Sequence, residues 1–291
     1  MLHRDPETHC TIAKCRRCGA IYTRDRWTEE EMKQSYAEDS YYAQRCAASW
    51  TDDWLPSQHV ELEFIERLAP QKGRLLDVGC GGGAFVHAAR QRGWHAFGID
   101  LSEAGIRHAH EYWGLDPTVV ICGDFQSWTS KHSFDVITTF HVLEHMYQPS
   151  AFLTKAHHLL TQDGLLIVAV PNFGSVDVRV YPEIHRAVTD LPFHLTHFTP
   201  RSLKELLELN GFGIVKRRFY PSRRIIELLK TLVEPFKLTR PPPESNVDKR
   251  TDPSHAPLTY REDPYKAEVL RILGLCSPGT YMVFYARREN A

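Results

Sequence analysis

The stretch Leu75-Leu76-Asp77-Val78-Gly79-Cys80-Gly81-Gly82-Gly83-Ala84 decides the fold. Arg74–Val78 is a short apolar run that the glycines stop, and Ala84–Arg92 behind them has helical texture. A strand that passes through a glycine turn into a helix N-terminus lets unpaired backbone N–H groups approach a ligand closely. Gly79-x-Gly81-x-x-Ala84 also satisfies the dinucleotide fingerprint, so the glycines alone leave the ligand open. The acids around them narrow it. Asp77 stands two residues before Gly79, where a pyrophosphate gains nothing from negative charge but a sulfonium bearing an α-amino group would. Asp100 follows the next strand, 21 residues after Gly79, in the place of a carboxylate that grips ribose hydroxyls. Asp124 follows the third strand with Phe125 beside it, suited to an adenine amino group and ring face.

Outward from this turn, strands and helices alternate. His95–Ile99 reads as a strand, Ser102–Tyr112 as a helix with Ser102 as N-cap, Val119–Cys122 and Phe134–Phe140 as strands, Pro149–Leu160 as a helix and Leu165–Val170 as a fifth strand. Continuous Val/Ile/Leu runs separated by helices are what a parallel sheet covered on both faces demands, so the expected class is doubly wound α/β. Beyond Pro171 the texture is irregular to Thr199. A helix at Arg201–Asn210 then closes on Gly211, and Ile214–Tyr220 and Tyr281–Ala286 read as two more strands. Upstream, Gln58–Leu68 reads as a helix, and Thr28 followed by Glu31 marks a capping box opening a helix over Thr28–Tyr42.

At these residues the sequence resembles the class I S-adenosylmethionine-dependent methyltransferases. Leu75–Gly83 resembles their first motif, Gly98-Ile99-Asp100 their second, acidic one, and Gly123-Asp124-Phe125 their adenine-contacting third. The resemblance spans roughly Val60 to Tyr220 plus the last strand. It implies a Rossmann-like methyltransferase fold, a doubly wound seven-stranded mostly parallel sheet whose last strand is antiparallel. It also implies S-adenosylmethionine as cofactor, held by Asp77, Gly79, Cys80, Gly81, Asp100, Leu101, Asp124, Phe125, Phe140 and His141.

After the fourth strand comes His141-Val142-Leu143-Glu144-His145. On a helix, positions 141, 144 and 145 share one face, and H-x-x-E-H is also the inverted zincin signature. A zinc hydrolase needs that motif inside a long helix, whereas here it abuts a strand end. In the quinone-biosynthesis O-methyltransferases the equivalent stretch carries two glutamates and a histidine proposed to hold a divalent metal. This chain has His141 for the first glutamate, and hard Mg²⁺ prefers oxygen ligands, so no divalent metal is expected at Glu144 and His145. His141 is expected to line the cofactor pocket, with Glu144 and His145 shaping its wall.

Pro192-Phe193-His194-Leu195-Thr196-His197-Phe198-Thr199 follows the fifth strand, on the side where this fold binds ligands. It resembles the H-x-x-H-F-T/S segment of methyltransferases with small-molecule or glycan acceptors. Methyl transfer is an in-line displacement that needs positioning and exclusion of water. A hydroxyl acceptor must also lose a proton, for which a histidine is the natural base. The expected catalytic residues are His197, then His194 and His145, with O-methylation favoured over N- or C-methylation and over a non-catalytic cofactor-binding scaffold.

Cys15-Arg16-Arg17-Cys18-Gly19 is a C-x-x-C-G knuckle, and it resembles the second half of a zinc ribbon. Cys10, Cys15 and Cys18, with His9 or His3 as fourth ligand, are the candidate zinc site, and Tyr36–Tyr42 is a candidate lid. The expected organisation is an N-terminal extension over 1–50, a cofactor-binding core over 51–222 with an acceptor cap at 172–200, an insertion at 223–279, and the last strand at 280–291. The insertion carries a helical stripe from Ile225 to Phe236, read as a docked or homodimer-forming helix or a peripheral membrane contact, and a proline-rich stretch, Arg240–Asp263.

The composition is that of a soluble domain: 42% hydrophobic and 24% charged, with 35 basic against 36 acidic residues and a net charge of −1. That balance gives no global attraction to nucleic acid. No apolar run exceeds that of Leu165–Val170, far short of the roughly 20 residues that span a bilayer. The N-terminus lacks an apolar leader core, and an odd count of 7 cysteines fits a reducing compartment, so a cytoplasmic protein is expected.

Overall fold

The computed structural model describes residues 3–4, 8–37, 55–175, 178, 189–221 and 279–289. The chain opens with an antiparallel meander of β1 (His3–Arg4), β2 (Thr11–Lys14) and β3 (Ile21–Thr23). Helix α1 (Glu29–Ala37) follows, and reciprocal bonds fix its start. The Glu31 N–H donates to Thr28 Oγ1 at 3.2 Å and the Thr28 N–H to Glu31 Oε2 at 2.7 Å, as the capping-box spacing predicts. The side chains of Tyr36–Tyr42, the expected lid, and the insertion at 223–279, save for Gly279, lie outside the described residues.

The core runs α2 (Leu55–Leu68), β4 (Arg74–Val78), α3 (Ala84–Gln91), β5 (His95–Asp100), α4 (Glu103–Glu111), β6 (Val120–Cys122), β7 (Phe134–Phe140), α5 (Pro149–Leu159), β8 (Leu160–Pro171), α6 (Pro200–Leu209), β9 (Phe212–Pro221) and β10 (Gly279–Arg288). The strands form one seven-stranded sheet in the order β6-β5-β4-β7-β8-β10-β9. Pairing is parallel from β6 to β8, while β10 runs antiparallel to both β8 and β9. This is the Rossmann-like methyltransferase fold that the sequence implies.

Alternation along buried strands explains why both faces are covered. Leu75, Val136, Leu165 and Ile167 point into one core with Leu62, Ile65 and Phe85 of the flanking helices. Leu76, Ile137, Leu166 and Val168 point into the other with Phe152, Leu153 and Leu203. Each fully buried Leu, Ile or Phe contributes about 1.5–3 kcal/mol. Strand β8 is longer than its apolar run, beginning at Leu160, with a register shift opposite Phe134 and Val136 that absorbs the polar Thr161–Asp163. Such an irregularity leaves no apolar pattern to read.

Strand order reverses between β4 and its neighbours β5 and β7, which opens a crevice beyond the strands' C-terminal ends. The glycine turn after β4, Asp100 at the end of β5 and the segment after β7 all border it. The N-terminal meander packs against the same end. An isolated antiparallel bridge joins Tyr22 to Thr196, the Thr23 N–H donates to the Leu195 carbonyl at 2.9 Å and the His197 N–H to the Ile21 carbonyl at 2.9 Å.

Candidate functional site

The turn after β4 is built around positions that only glycine fills. Gly79 has φ 78°, and a Cβ there would lie 2.2 Å from Val142 Cγ2. Asp100 ties the turn to the next βα unit: Oδ2 accepts the Gly81 N–H at 2.8 Å and Oδ1 the Ser102 N–H at 2.8 Å. Ser102 in turn caps α4, its Oγ accepting the Gly105 N–H at 3.1 Å. Burial pushes the Asp100 carboxyl up, against these backbone donors. The Cys80 thiol is buried beneath Gly98, where it fills space, and burial raises its pKa well above the ordinary value, so at this position only the backbone is left to face a ligand.

Asp77 is buried at the floor of the turn, where its Oδ1 accepts a hydrogen bond from Thr138 Oγ1 at 2.7 Å. Burial raises its carboxyl to about 7; the Thr138 bond opposes the rise and the Asp100 charge adds to it. A neutral hydroxyl is poor compensation for a buried carboxylate, so the position fits a cationic ligand group. Thr138 itself is invisible to motif reading, since its role depends on the β4–β7 register that sets Asp77 opposite it.

Beyond β6, Asp124 and Phe125 part company. Asp124 Oδ1 accepts the Gln126 N–H at 2.9 Å, and Oδ2 meets Lys33 Nζ of α1 at 3.1 Å. The Phe125 ring turns into the core, 5.0 Å from Phe152, with Lys155 over its face. The sequence assigns that ring to the adenine face; the structure packs it on the apolar surface between α5 and the sheet. Leu101 lies exposed past the end of β5, and Phe140 packs edge-on to Phe85 at 4.9 Å.

The segment after β7 is not the helix that would align positions 141, 144 and 145. His141 adopts φ 57°, and one turn of 3-10 helix covers Leu143–His145. A non-glycine residue in that region is uncommon and strained. The His141 side chain is 51% exposed, with Nδ1 3.5 Å from Glu144 Oε1 and the ring edge-on to Tyr281 at 5.6 Å. Glu144 is 1% exposed, and neither carboxylate oxygen makes a hydrogen bond. Its carbonyl accepts the Leu195 and Thr196 N–H groups at 2.8 and 3.1 Å, which joins the turn to the cap.

In the cap, His197 is 3% exposed. Thr23 Oγ1 donates to the His194 carbonyl at 2.7 Å, so the His197 Nε2–H, 2.9 Å away, donates to Thr23. This seats the expected base, His197, in a buried joint between β3 and the cap. His194 is buried as well, its Nε2 3.8 Å from Asp190 Oδ2. His145 stacks edge-on to His194 at 4.8 Å and its Nδ1 lies 3.1 Å from the Phe193 carbonyl. Burial first, then His194, lowers the His145 pKa to about 4, so it is a neutral imidazole at pH 7.

Among the described residues, one group of three metal-ligating side chains converges, Glu144, His145 and His194, with ligand atoms within 4.8 Å of one another. The cysteines of the N-terminal extension do not. Cys15 and Cys18 share the knuckle closed by the Gly19 N–H on the Cys15 carbonyl at 3.0 Å, but the buried Cys10 thiol donates to the Asp25 carbonyl at 3.2 Å. Among the described residues the meander thus gives Cys10 a backbone partner, apart from the knuckle of Cys15 and Cys18.

A family model described as "Methyltransferase domain" matches residues 54–217. Among curated proteins, the ubiquinone biosynthesis O-methyltransferase of Xylella fastidiosa is 34% identical over 119 residues, 39% of this chain and 48% of that protein. The protein of the same name from Hahella chejuensis is 36% identical over 102 residues, 32% of this chain and 42% of that protein. The chain thus matches about half the length of these relatives. Among solved structures, a SAM dependent methyltransferase from Archaeoglobus fulgidus superposes with a TM-score of 0.56 at 18% identity, covering 86% of this chain and 100% of that one. Magnesium protoporphyrin IX methyltransferase from Synechocystis, solved with bound SAH, gives 0.55 at 14% identity over 90% of this chain and 100% of that one. At these identities the likeness is one of fold. No helix among the described residues is long and apolar enough to cross a membrane.

Proposed function

The chain belongs to the methyltransferase domain family, and from that premise we propose that it transfers a methyl group from S-adenosylmethionine to a hydroxyl oxygen of a small molecule or glycan. One observation carries the reading. The glycine turn, the buried Asp77 whose partner is the Thr138 hydroxyl, and the Asp100 carboxylate form one cradle at the strand ends. S-adenosylmethionine supplies an electrophilic methyl on a sulfonium whose charge is lost on transfer. In this reading Asp77 holds the cationic amino-acid end, and the backbone at Gly79 and Gly81 admits the donor closely. Each Asp100 oxygen accepts one N–H and retains a lone pair for a ribose hydroxyl. Asp124 takes the adenine amino group, sharing its carboxylate with Lys33.

The O-methyltransferase names of the relatives favour oxygen as the acceptor atom. Of the histidines at the site, His141 is half-exposed, so we assign the base role to it ahead of the buried His197; the Glu144 carboxylate beside Nδ1 orients the ring.

Calorimetric titration of S-adenosylhomocysteine into the wild type and Asp100→Asn is the first test. Micromolar binding weakened at least about tenfold in the variant supports the cradle, that loss matching about 1.4 kcal/mol. A folded wild type that does not bind overturns the reading. His141→Ala, assayed with labelled donor and phenolic acceptors, is expected to lose about 10²–10⁴-fold in kcat while still binding S-adenosylhomocysteine. Unchanged turnover would point to an amine acceptor, which needs no base. Binding without transfer to any acceptor would leave a scaffold.

A further inference from the structure

We propose that Lys155 of α5 is a positioning residue for the adenine end of the donor: its ammonium fixes the turn Asp124–Trp128, which aims the Asp124 carboxylate. The inference rests on the S-adenosylmethionine reading above and deepens it. What carries it is the convergence of three backbone carbonyls on one side chain. Lys155 Nζ donates to the Phe125 carbonyl at 2.5 Å, to the Gln126 carbonyl at 2.9 Å and to the Trp128 carbonyl. An ammonium has three N–H donors, so these carbonyls take its whole capacity. Hydrogen bonds from a charged donor are also the stronger kind.

The turn is held from both ends. Its N–H groups point back to Asp124: Gln126 donates to Oδ1 at 2.9 Å, and Ser127 and Trp128 donate to the Asp124 carbonyl at 3.2 and 2.9 Å. Its carbonyls point the other way, to Lys155. A single turn has no further helix to satisfy those carbonyls, and a cation at that end both satisfies them and complements their dipoles. Beneath the turn, the Phe125 ring lies 5.0 Å from Phe152 and carries Lys155 Nζ at 5.0 Å from its centroid. The Trp128 ring lies 6.4 Å from Phe134. Both rings therefore seat the turn, which leaves Asp124, its side chain 30% exposed, to meet the ligand.

Lys155 acts through the backbone and not as a counter-ion. Asp124 has a bonded cation in Lys33, whose Nζ lies 3.1 Å from Oδ2. Burial lowers the Lys155 pKa and the Asp124 charge opposes this, so the three carbonyls stand in for the water that the ammonium has lost. A carboxylate held in one place accepts a hydrogen bond from the 6-amino group of adenine. It repels the carbonyl oxygen that hypoxanthine carries at the same position. Selection for the amino base is a difference of these two affinities, and it falls when the turn relaxes. No motif records the arrangement, because Lys155 stands 27–30 residues beyond the carbonyls it binds, on a different element.

The test titrates the full chain with S-adenosylhomocysteine and with S-inosylhomocysteine, which differs only at that position of the base, and reads the ratio of the two Kd values. The wild type is expected to prefer the adenine ligand at least about tenfold, the discrimination of one hydrogen bond to a charged group. Lys155→Met should bring the ratio close to one, chiefly by weakening the adenine ligand. Lys155→Arg, which keeps the charge and several N–H donors, should recover most of the preference. Leu207→Ala, which opens the same core at α6 away from the turn, should lower Tm and keep the wild-type ratio. A folded Lys155→Met with an unchanged ratio overturns the proposal and leaves the cradle standing. A ratio lost equally in Leu207→Ala also overturns it, since loosened packing would then explain the loss. A folded wild type that binds neither ligand overturns both this proposal and the reading beneath it. Should Lys155→Met fail to fold, Lys155→Gln is read in its place by the same ratio.

Discussion

Burial pushes the Asp77 carboxyl up to about 7, against the Thr138 bond and with the Asp100 charge behind it. Its folded pKa lies above the ordinary 3.8, so its contribution to the stability of the unliganded protein is fully present below that value and is lost as pH rises through about 7. A cationic ligand reverses the preference, because it needs the ionised form. Affinity for S-adenosylmethionine should therefore rise from about pH 5 to about 7, approaching tenfold per unit, and level off above. Calorimetry at about pH 6 in two buffers of different ionisation enthalpy should show proton release on binding. Thr138→Val, which removes the opposing hydrogen bond, should move the rise to higher pH; a flat profile would mean that Asp77 meets no positive group. Asp77, Asp100 and Asp124 are legible in sequence because each lies within two residues of a strand's C-terminal end. Thr138 is not, because its contact is set by cross-strand register.

At the scale of elements, α4 rests directly on the glycine turn. A Cβ at Gly105 would lie 2.8 Å from the Gly81 carbonyl oxygen and 2.9 Å from its carbon, both backbone atoms with nowhere to go. Gly105→Ala should lift α4 off the turn, spoil the Asp100–Gly81 bond and weaken S-adenosylhomocysteine binding at least about tenfold, or about 1.4 kcal/mol, with circular dichroism unchanged. Gly114→Ala is the control. That position has φ 63° with open space around it, so the variant should lose about 1 kcal/mol of stability and keep its affinity. Capping and strand boundaries near these glycines are local matters, which is why Thr28, Ser102 and the βα alternation read correctly. The conformation of His141–His145 has no such local signature. Between β7 and α5 there is too little chain for a helix, and the backbone resolves this with a positive φ and a single 3-10 turn.

Across the whole molecule, one buried network fastens the first core helix to the last strands. Glu61 of α2 accepts from Arg218 Nη1 at 3.1 Å and Tyr220 OH at 3.0 Å, both on β9, and from Tyr285 OH on β10. Arg218 also lies over the Phe64 ring, 3.4 Å from its centroid. Glu61→Ala leaves the buried Arg218 guanidinium without its carboxylate and should cost about 3–5 kcal/mol in urea unfolding. Glu61→Gln, which keeps an acceptor, should cost less. A loss below about 1 kcal/mol for the alanine variant would mean that apolar contacts alone hold β9 and β10.

The sequence by itself determined the βα order, the glycine turn and the acids at the strand ends. Parallel strands buried on both faces must be continuous apolar runs, and a close-approach turn must be glycine, so both leave local signatures. Only the tertiary structure decided which histidine is reachable. It buries His197 against Thr23, exposes His141, turns Phe125 into the core and gathers Glu144, His145 and His194. Those outcomes depend on how the meander, the turn after β7 and the cap pack together. Burial and hydrogen bonding between segments far apart in the chain select one arrangement, and no spacing within any one segment records it.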